Sequence, residues 1–217
     1  MTASNRRPFK IAGLYAITPD LADTELLCQM VEASILGGAR IMQYRNKVAD
    51  EKLRLQQASA LLEICRKNQV PLIINDHVEL CLSIDADGVH IGGDDGNIAA
   101  IKNMIGEDKL LGVSCYGEFA RAEAAEKAWA DYVAFGACFA SKTKPNAPRA
   151  ELSLFNQVKP LNIPSVAIGG ITLQNAHLAK QAGADAIAVI GELFNQAHDK
   201  ATVAKIKATA EQFSSIF

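Results

Sequence analysis

The feature that most constrains the fold is an alternation of eight short apolar runs with longer segments of helical periodicity. The runs cover residues 13–17, 40–44, 71–74, 88–90, 110–114, 132–135, 165–168 and 186–190. Several are apolar almost throughout, as expected for strands buried on both faces of a parallel sheet. Between them, apolar side chains recur at helical spacing, for example at Leu27, Met30, Val31 and Ile35. The pattern predicts repeated βα units.

A recurring helix-to-strand turn supports this interpretation. Small or acidic residues close a helical stretch just before a strand at residues 38–41, 85–89, 130–133 and 183–187. Eight alternating strands could form a closed barrel or an open doubly wound sheet. The count favours the barrel, and no Gly-x-Gly-x-x-Gly follows the first strand, which disfavours a dinucleotide-binding sheet. We therefore predict a single-domain (β/α)8 TIM barrel over residues 11–217, preceded by a loose N-terminal arm at residues 1–10.

The net charge and the cysteine pattern limit which binding partners and which cellular compartment we expect. The net charge is −2, so no global field attracts nucleic acid or an anionic membrane surface. The five cysteines form no C-x-x-C pair, which is typical of reduced thiols in the cytoplasm. The first residues lack the apolar core of a secretion signal, and no apolar stretch is long enough to span a membrane. We expect a cytoplasmic protein with small-molecule partners and with no nucleic acid or membrane partner; no oligomeric state follows from the sequence.

Charged residues follow the second, third and fourth predicted strands, where a barrel places its active site. Arg45 and Lys47 stand two apart and would share a face of extended chain, which suits phosphate binding; the alternative is a solvated loop. Asp76 could ligate a metal or cap the next helix. Asp95 lies behind two glycines, where the alternative is a turn with capping acids. Together, Asp76 and Asp95 match the one or two carboxylates that Mg²⁺ prefers beside phosphate oxygens and water.

Loops after the later strands offer hydroxyls, cations and glycines. Ser114 ends the fifth strand and supplies one hydroxyl. The long segment 136–150 follows the sixth strand and is either an anion clamp or a flexible surface loop; its candidate ligands are Ser141, Lys142, Thr143 and Lys144. Gly169 and Gly170 follow the seventh strand, and Gly191 follows the eighth. Barrels often bind a phosphate through backbone N–H groups of these two loops and a helix N-terminus.

Taken together, the motifs resemble the thiamine-phosphate synthase family along nearly the whole chain. The resemblance rests on residues 13–18 (GLYAIT), 43–47 (QYRNK), 75–76 (ND), 87–92 (DGVHIG) with Asp95, 112–114 (GVS), 143–145 (TKP) and 167–172 (AIGGIT). It implies that 4-amino-2-methyl-5-(diphosphomethyl)pyrimidine and a thiazole phosphate are joined to give thiamine phosphate and diphosphate. The chain departs from the family pattern at Gly93, where Gln is common, at Ala140, where Pro is common, at Ser141, which is often Thr, and at Gly191, where Ser is usual.

The resemblance also implies roles for individual residues. The pyrimidine diphosphate would be held by Gln43, Tyr44, Arg45, Asn46, Lys47, Asn75, Ser114 and Lys144. The thiazole phosphate would be held by Ser141, Lys142, Thr143, Gly169, Gly170, Ile190 and Gly191. Asp76 and Asp95 would bind Mg²⁺, and the catalytic set would be Arg45, Lys47, Ser114 and Lys144.

The implied chemistry suits the residues present. The electron-rich aminopyrimidine can stabilise a cation after diphosphate leaves, so the step needs stabilised charge on the leaving group and no protein nucleophile. A thiazole tautomerase-like isomerase is one alternative, but it would not need the two acids or the basic set. A catalytically silent barrel that binds thiamine precursors is the other.

Overall fold

The computed structural model describes residues 9–93, 96–140, 149–194 and 200–217. Eight parallel strands close into a barrel in which each strand pairs with its neighbours along the chain and the last pairs with the first. The strands are β1 (Gly13–Ile17), β2 (Ile41–Tyr44), β3 (Leu72–Asn75), β4 (Gly88–Ile91), β5 (Leu110–Tyr116), β6 (Tyr132–Phe135), β7 (Ser165–Ile168) and β8 (Ala186–Val189). The predicted TIM barrel is confirmed. Residues 1–8 of the predicted arm lie outside the described residues.

Helices follow the strands and cover the outside of the barrel. They are α1 (Thr24–Leu36), α2 (Glu51–Lys67), α3 (Val78–Ser83), α4 (Ile98–Ile105), α5 (Phe119–Lys127), α6 (Leu154–Gln157), α7 (Ala176–Gln181), α8 (Gly191–Phe194) and α9 (Lys200–Ile216). Asp23, Asp50 and Asn97 cap α1, α2 and α4, each accepting a backbone N–H of the first turn. The helix α9 packs against α1, and Ser214 donates to the Gly37 carbonyl at 3.1 Å. None of the described helices is long and apolar enough to cross a membrane.

Side chains alternate along the strands between the two faces of the barrel wall. The outward set, including Leu14, Met42 and Val89, packs beneath the helices in one large core. The inward set fills the lumen and is the smaller core, with Tyr15, Ile41, Ile73, Tyr132, Val166 and Ala186 among its members. Filling by side chains from successive strands is the usual interior of a barrel of this size. The C-terminal end of the barrel, which we call the mouth, is therefore closed from below by packed side chains of the lumen.

The recurring turn seen in the sequence has a structural purpose at the N-terminal ends of the strands. Asp87 Oδ2 accepts the backbone N–H of Leu72 at 2.9 Å. Asp131 Oδ2 does the same for Leu111, and Asp185 Oδ2 for Ser165, both at 2.8 Å. Each aspartate precedes one strand and holds the start of the strand before it, so the pairs β3–β4, β5–β6 and β7–β8 are clamped. We call these three residues the aspartate clamps.

Five strands differ from their predicted bounds by one or two residues. The strands β2 and β3 begin one residue later than predicted, and β3 and β4 end one residue later. The other two differences are at the ends of β8 and β5. Ile190 was expected to end the eighth strand, but β8 ends at Val189, because the Ile190 carbonyl accepts the Phe194 N–H at 2.9 Å and so begins α8. The fifth strand continues two residues further than expected, to Tyr116, with a register irregularity after Ser114. Both differences lie at the mouth, where strands turn into functional loops.

The five cysteines form no disulfide with one another in this structure. Burial raises the pKa of every one of them: Cys28, Cys65, Cys81, Cys115 and Cys138. They are therefore protonated at neutral pH and poor nucleophiles.

Candidate active site

The C-terminal ends of β2 and β3 open into a polar cavity of about 230 Å³. Its lining residues come from the last residues of these strands, from the loops that follow them and from α2: Tyr44, Arg45, Asn46, Lys47, Arg54, Asn75, Asp76 and His77. Six of these eight were predicted from the sequence as substrate or metal ligands. The structure therefore brings the predicted anion-binding and metal-binding residues of two neighbouring strands to one place.

Two residues that follow β1 hold the Arg45–Lys47 loop. The Thr18 hydroxyl donates to the Arg45 carbonyl and accepts the Arg45 N–H, both at 2.8 Å, and Thr18 is fully buried. Asp20 Oδ1 accepts the Lys47 N–H at 2.8 Å and pairs with Arg45 Nη1 at 3.2 Å. The two cations are thus presented by a loop whose backbone is fixed on one side.

Asn46 and Tyr44 are anchored into the protein rather than directed freely into the cavity. Asn46 Nδ2 donates to the Leu21 carbonyl and to Gln57 Oε1, and its Oδ1 accepts the N–H groups of Val48 and Ala49. The Tyr44 hydroxyl donates to Gln57 Oε1 at 2.9 Å, and burial raises its pKa. Because the side-chain capacity of Asn46 is used internally, this residue shapes the loop, and contact with a ligand falls to its backbone.

Asp76 stands exposed at the cavity in a left-handed backbone conformation, with φ of 62°. Its N–H donates to the His90 carbonyl at 2.9 Å, and its Oδ2 accepts Asn75 Nδ2 at 2.7 Å. An Asp tolerates this conformation better than most residues, and such backbone geometry concentrates at functional sites. No group of three potential metal ligands occurs among the described residues, and Asp95 lies outside them. One exposed carboxylate beside cations fits Mg²⁺, which takes few protein ligands and completes its shell with water and phosphate oxygens.

A chain of hydrogen bonds crosses the lumen just below the mouth. Gln43 Nε2 donates to the Tyr15 hydroxyl at 2.8 Å, and the hydroxyls of Tyr15 and Tyr132 are 2.7 Å apart. The Tyr132 hydroxyl lies 3.1 Å from His90 Nδ1, and His90 Nε2 lies 2.9 Å from Ser114 Oγ. All but Ser114 are buried. The chain physically links Gln43 and Ser114, two residues predicted to bind the same substrate, and we call it the lumen chain.

The direction of donation along the lumen chain follows from its buried phenols. Burial raises the pKa of both tyrosines, so each hydroxyl keeps one hydrogen. Tyr15 accepts from Gln43, and its one remaining contact in the described part of the chain is Tyr132, so it donates there. We assign the Tyr132 hydrogen to His90 Nδ1, 3.1 Å away, and the ring hydrogen of a neutral His90 to Nε2, which is 2.9 Å from Ser114 Oγ. The Ser114 hydroxyl is left with its own hydrogen to donate to a ligand at the mouth.

Gly112 makes space for the lumen chain. A Cβ at this position would lie 2.3 Å from the Tyr132 hydroxyl and 2.5 Å from His90 Nδ1. Both atoms belong to rings packed in the lumen, whose planes stack with centroids 5.6 Å apart. The glycine of the Gly112–Ser114 motif is therefore required by the bond between Tyr132 and His90.

The second phosphate-binding candidate lies across the mouth, after β7 and β8. Gly169 and Gly170 have φ of 92° and 66°, and a Cβ on Gly170 would lie 2.5 Å from the Ala140 carbonyl oxygen. The segment after β6 packs directly on this turn, with Phe139 N–H donating to the Gly169 carbonyl at 3.0 Å. The predicted ligands that follow lie outside the described residues: Ser141, Lys142, Thr143 and Lys144. The last described residue before them, Ala140, lies beside Gly170.

The glycine loops offer backbone donors. Among the described residues, the N–H groups of Gly170 and Gly191 donate no hydrogen bond. Asn175 fixes the first loop, because its Nδ2 donates to the Gly170 carbonyl and its Oδ1 accepts the Thr172 N–H, both at 2.8 Å. Ile190 and Gly191 follow β8 at the same end of the barrel. The predicted glycine-loop residues therefore meet at the mouth, on loops that leave backbone N–H groups for a ligand.

Comparison with known proteins decides the family. The family described as thiamine monophosphate synthase matches residues 14–193 of this chain. The chain belongs to this family. A thiamine-phosphate synthase from Methylobacillus flagellatus is 54% identical over 207 residues, which cover 95% of this chain and 96% of that protein. One from Chromobacterium violaceum is 50% identical over 201 residues, covering 93% and 97% respectively. The solved thiamine phosphate pyrophosphorylase from Pyrococcus furiosus is 29% identical, has a TM-score of 0.79, and is matched over 94% of this chain and 95% of that chain.

One departure from the pattern of the thiamine monophosphate synthase family has a structural reason in this chain. At Gly93 a Cβ would lie 2.5 Å from the Ser114 carbonyl oxygen and 2.9 Å from Arg121 Nη1. Arg121 donates from this nitrogen to the Gly93 carbonyl at 3.0 Å. The glycine thus lets the segment after β4 lie directly against β5, and the larger residue common in the family would need this contact to shift.

Four residues of this family member matter to the site but were not given a role by the sequence interpretation. Thr18 and Asp20 support the cationic loop, while Arg54 and His77 line the cavity itself. Arg54 lies in the first turns of α2, and burial followed by the charge of Arg54 lowers the pKa of His77. The position of Thr18 and Asp20 just after a strand was an available signal. Nothing local marks Arg54, which reaches the site because the first turn of α2 lies beside the mouth.

Proposed function

We propose that the chain condenses 4-amino-2-methyl-5-(diphosphomethyl)pyrimidine with a thiazole phosphate, giving thiamine phosphate and diphosphate. The observation that carries this is the cavity where Arg45, Lys47, Asn75 and Asp76 meet, which suits a diphosphate with Mg²⁺. The glycine loops across the mouth suit a second phosphate. Membership of the thiamine monophosphate synthase family agrees with a transferase that joins two such substrates.

The lumen chain supports recognition of the aminopyrimidine ring. Ser114 has a hydroxyl hydrogen to donate, which suits a ring nitrogen acceptor. Gln43 uses one amide hydrogen on Tyr15, and its Oε1 remains to accept from an exocyclic amine. An aminopyrimidine presents this combination of donor and acceptor. The two residues are held by one buried network, so the ring would be oriented without ordering new side chains.

Departure of the diphosphate is the step that the cationic loop assists. Arg45 and Lys47 are fixed by Thr18 and Asp20 before any substrate arrives, so little reorganisation is needed as negative charge grows on the leaving group. We assign Lys144 to the same task. Asp76 and Asp95 would hold Mg²⁺, which when bound supplies further neutralisation of the diphosphate charge.

The second substrate is anchored by its phosphate at the loops after β7 and β8. Backbone N–H groups of Gly170 and Gly191, together with Ser141, Lys142 and Thr143, would hold that phosphate and aim the thiazole nitrogen at the carbon that loses diphosphate. The reaction needs no protein nucleophile, and the protonated state of the five cysteines agrees with this. Free thiols also favour a cytoplasmic location.

The experiment incubates purified protein with Mg²⁺ and both substrates and follows diphosphate release and thiamine phosphate. We expect both products in equal amounts, and none when either substrate is omitted. Binding of both substrates without product would favour the silent barrel. Conversion of the thiazole phosphate alone would favour the isomerase.

A further inference from the structure

Arg54 is a cation of the cavity that belongs to neither strand-end loop. It lies on α2 and lines the same space as Arg45, Lys47 and Asp76. A charged side chain on a surface helix is usually solvated, and sequence alone gives this one no role. Its contacts in the folded chain indicate otherwise.

The guanidinium of Arg54 is fixed from two sides. Nε and Nη2 donate to the Ala49 carbonyl, at 3.3 and 2.6 Å, on the loop that follows β2. Nη1 donates to the ring of His77, lying 3.0 Å from Nε2, on the turn that follows β3. The two loops that form the cavity therefore both hold Arg54, so its position is set before a ligand binds.

The charge of Arg54 is not neutralised by these contacts, because a carbonyl and an imidazole accept without carrying negative charge. Within the described ranges Arg54 forms no ion pair with a carboxylate, whereas Arg45 pairs with Asp20 at 3.2 Å. A guanidinium has five N–H donors, and the contacts to Ala49 and His77 account for three. One N–H on each terminal nitrogen is left. Paired donors on one planar cation are the arrangement that suits a phosphate.

We propose that Arg54 binds the diphosphate of the pyrimidine substrate, as a second guanidinium beside Arg45, and that His77 is its positioning residue. The inference rests on the proposed function, since it names a further ligand of the same diphosphate. Arg54 supplies uncompensated positive charge where Asp20 and Asp76 lower the net charge of the cavity. It has no part in binding the thiazole phosphate, whose predicted ligands Gly170 and Gly191 follow β7 and β8 on the other side of the mouth.

The test measures binding of inorganic diphosphate with Mg²⁺ by calorimetry, together with KM for each substrate, in Arg54→Ala and Arg54→Lys. The matched control is Arg66→Ala, on the same helix, whose guanidinium contacts Asp85 at 3.1 Å at the opposite end of the barrel. Loss of a hydrogen-bonded charge predicts about tenfold to hundredfold weaker diphosphate binding in Arg54→Ala, with a matching rise in KM for the pyrimidine diphosphate. Arg54→Lys should recover part of this, and KM for the thiazole phosphate should stay within about twofold.

His77 is tested by rescue. His77→Ala should weaken diphosphate binding less than Arg54→Ala does, and His77→Gln, which keeps an acceptor for Nη1, should recover most of the loss. If Arg54→Ala has a normal thermal midpoint but an unchanged affinity for diphosphate, while the wild-type protein turns over both substrates, the inference about Arg54 is wrong and the proposed function stands. Failure of the wild-type protein to bind diphosphate or to turn over overturns the proposed function instead.

Discussion

The two ends of the barrel use the same residue types for opposite purposes. At the N-terminal end, the clamps Asp87, Asp131 and Asp185 accept backbone N–H groups from neighbouring strands. At the mouth, Asp76 is exposed and Arg54 retains donors beyond those used within the protein. The difference teaches that a charged residue at a strand end is structural when its partner is in the chain. It is available for a ligand when contacts within the chain leave some of its hydrogen-bonding groups, or its charge, without a partner.

The largest effect on function is expected at Asp76. Asp76→Asn removes the charge but keeps a residue that tolerates the left-handed backbone, so the fold should be retained. We expect turnover to fall by about 10²–10³-fold because charge stabilisation on the diphosphate is lost. Diphosphate release is measured across a range of Mg²⁺ concentrations, beside a thermal melt. A variant with the wild-type rate and Mg²⁺ dependence would remove Asp76 from the metal site.

At the N-terminal end of the barrel, removal of an aspartate clamp should lower the free energy of unfolding and leave catalysis unchanged. Asp131 pairs with the buried Lys102 at 2.8 Å and also accepts the Leu111 N–H. Asp131→Ala leaves both without this acceptor, and we expect a loss of about 3 kcal/mol in the free energy of unfolding. Chemical denaturation measures it, with Asp131→Asn as the control that keeps an acceptor. The kcat of the folded fraction should stay near wild type; a large fall in kcat at unchanged stability would contradict the contrast between the two ends.

The lumen chain lies between the two ends of the barrel. Changes in it should reduce both substrate binding and stability, each by less than the changes above. Tyr132→Phe removes the hydroxyl that joins Tyr15 to His90, so the His90 ring that contacts Ser114 loses the partner of its Nδ1. We expect KM for the pyrimidine diphosphate to rise about tenfold, with little change for the thiazole phosphate. Tyr15→Phe, which leaves the link from Tyr132 through His90 to Ser114, should cost less. Equal effects on both substrates would argue for a general loss of packing.

The smallest effect is a gain. Gly191→Ser places the hydroxyl usual in the family next to the proposed thiazole phosphate. One further donor to a charged group should lower KM for the thiazole phosphate by about threefold to tenfold, with KM for the pyrimidine diphosphate unchanged. Steady-state kinetics with each substrate varied in turn measures this. An unchanged or raised KM would place the phosphate away from Gly191.

The strands, and the site residues that directly follow β2 and β3, can be predicted from local sequence. Apolar runs and the recurring turn predict every strand because a barrel strand is buried on both faces and leaves a continuous signal. Arg45, Lys47 and Asp76 are predictable because each directly follows such a run. The end of β8 is less so, since Ile190 reads as one more apolar strand residue while its carbonyl begins α8.

The rest depends on which strands become neighbours across the closed barrel. Tyr15, His90 and Tyr132 stand on separate strands, and only closure brings their polar atoms within hydrogen-bonding distance. Asn46 shows the converse: its place in the motif predicts a ligand, whereas its side chain holds the loop. Arg54 has no neighbouring signal at all, because it depends on the path of a helix.

The aspartate clamps also bear on the order in which the chain can fold. They join residues only 15 and 20 positions apart, so each links strands that are near in sequence and can form at a small cost in loop-closure entropy. Pairing of Gly13 with Ala186 joins the first and last strands and is among the most non-local contacts of the sheet. Non-local contacts of this kind slow folding. Because three strand pairs are held by local contacts, we expect pairing of β1 with β8 to form late in folding, and the lumen chain to assemble after it.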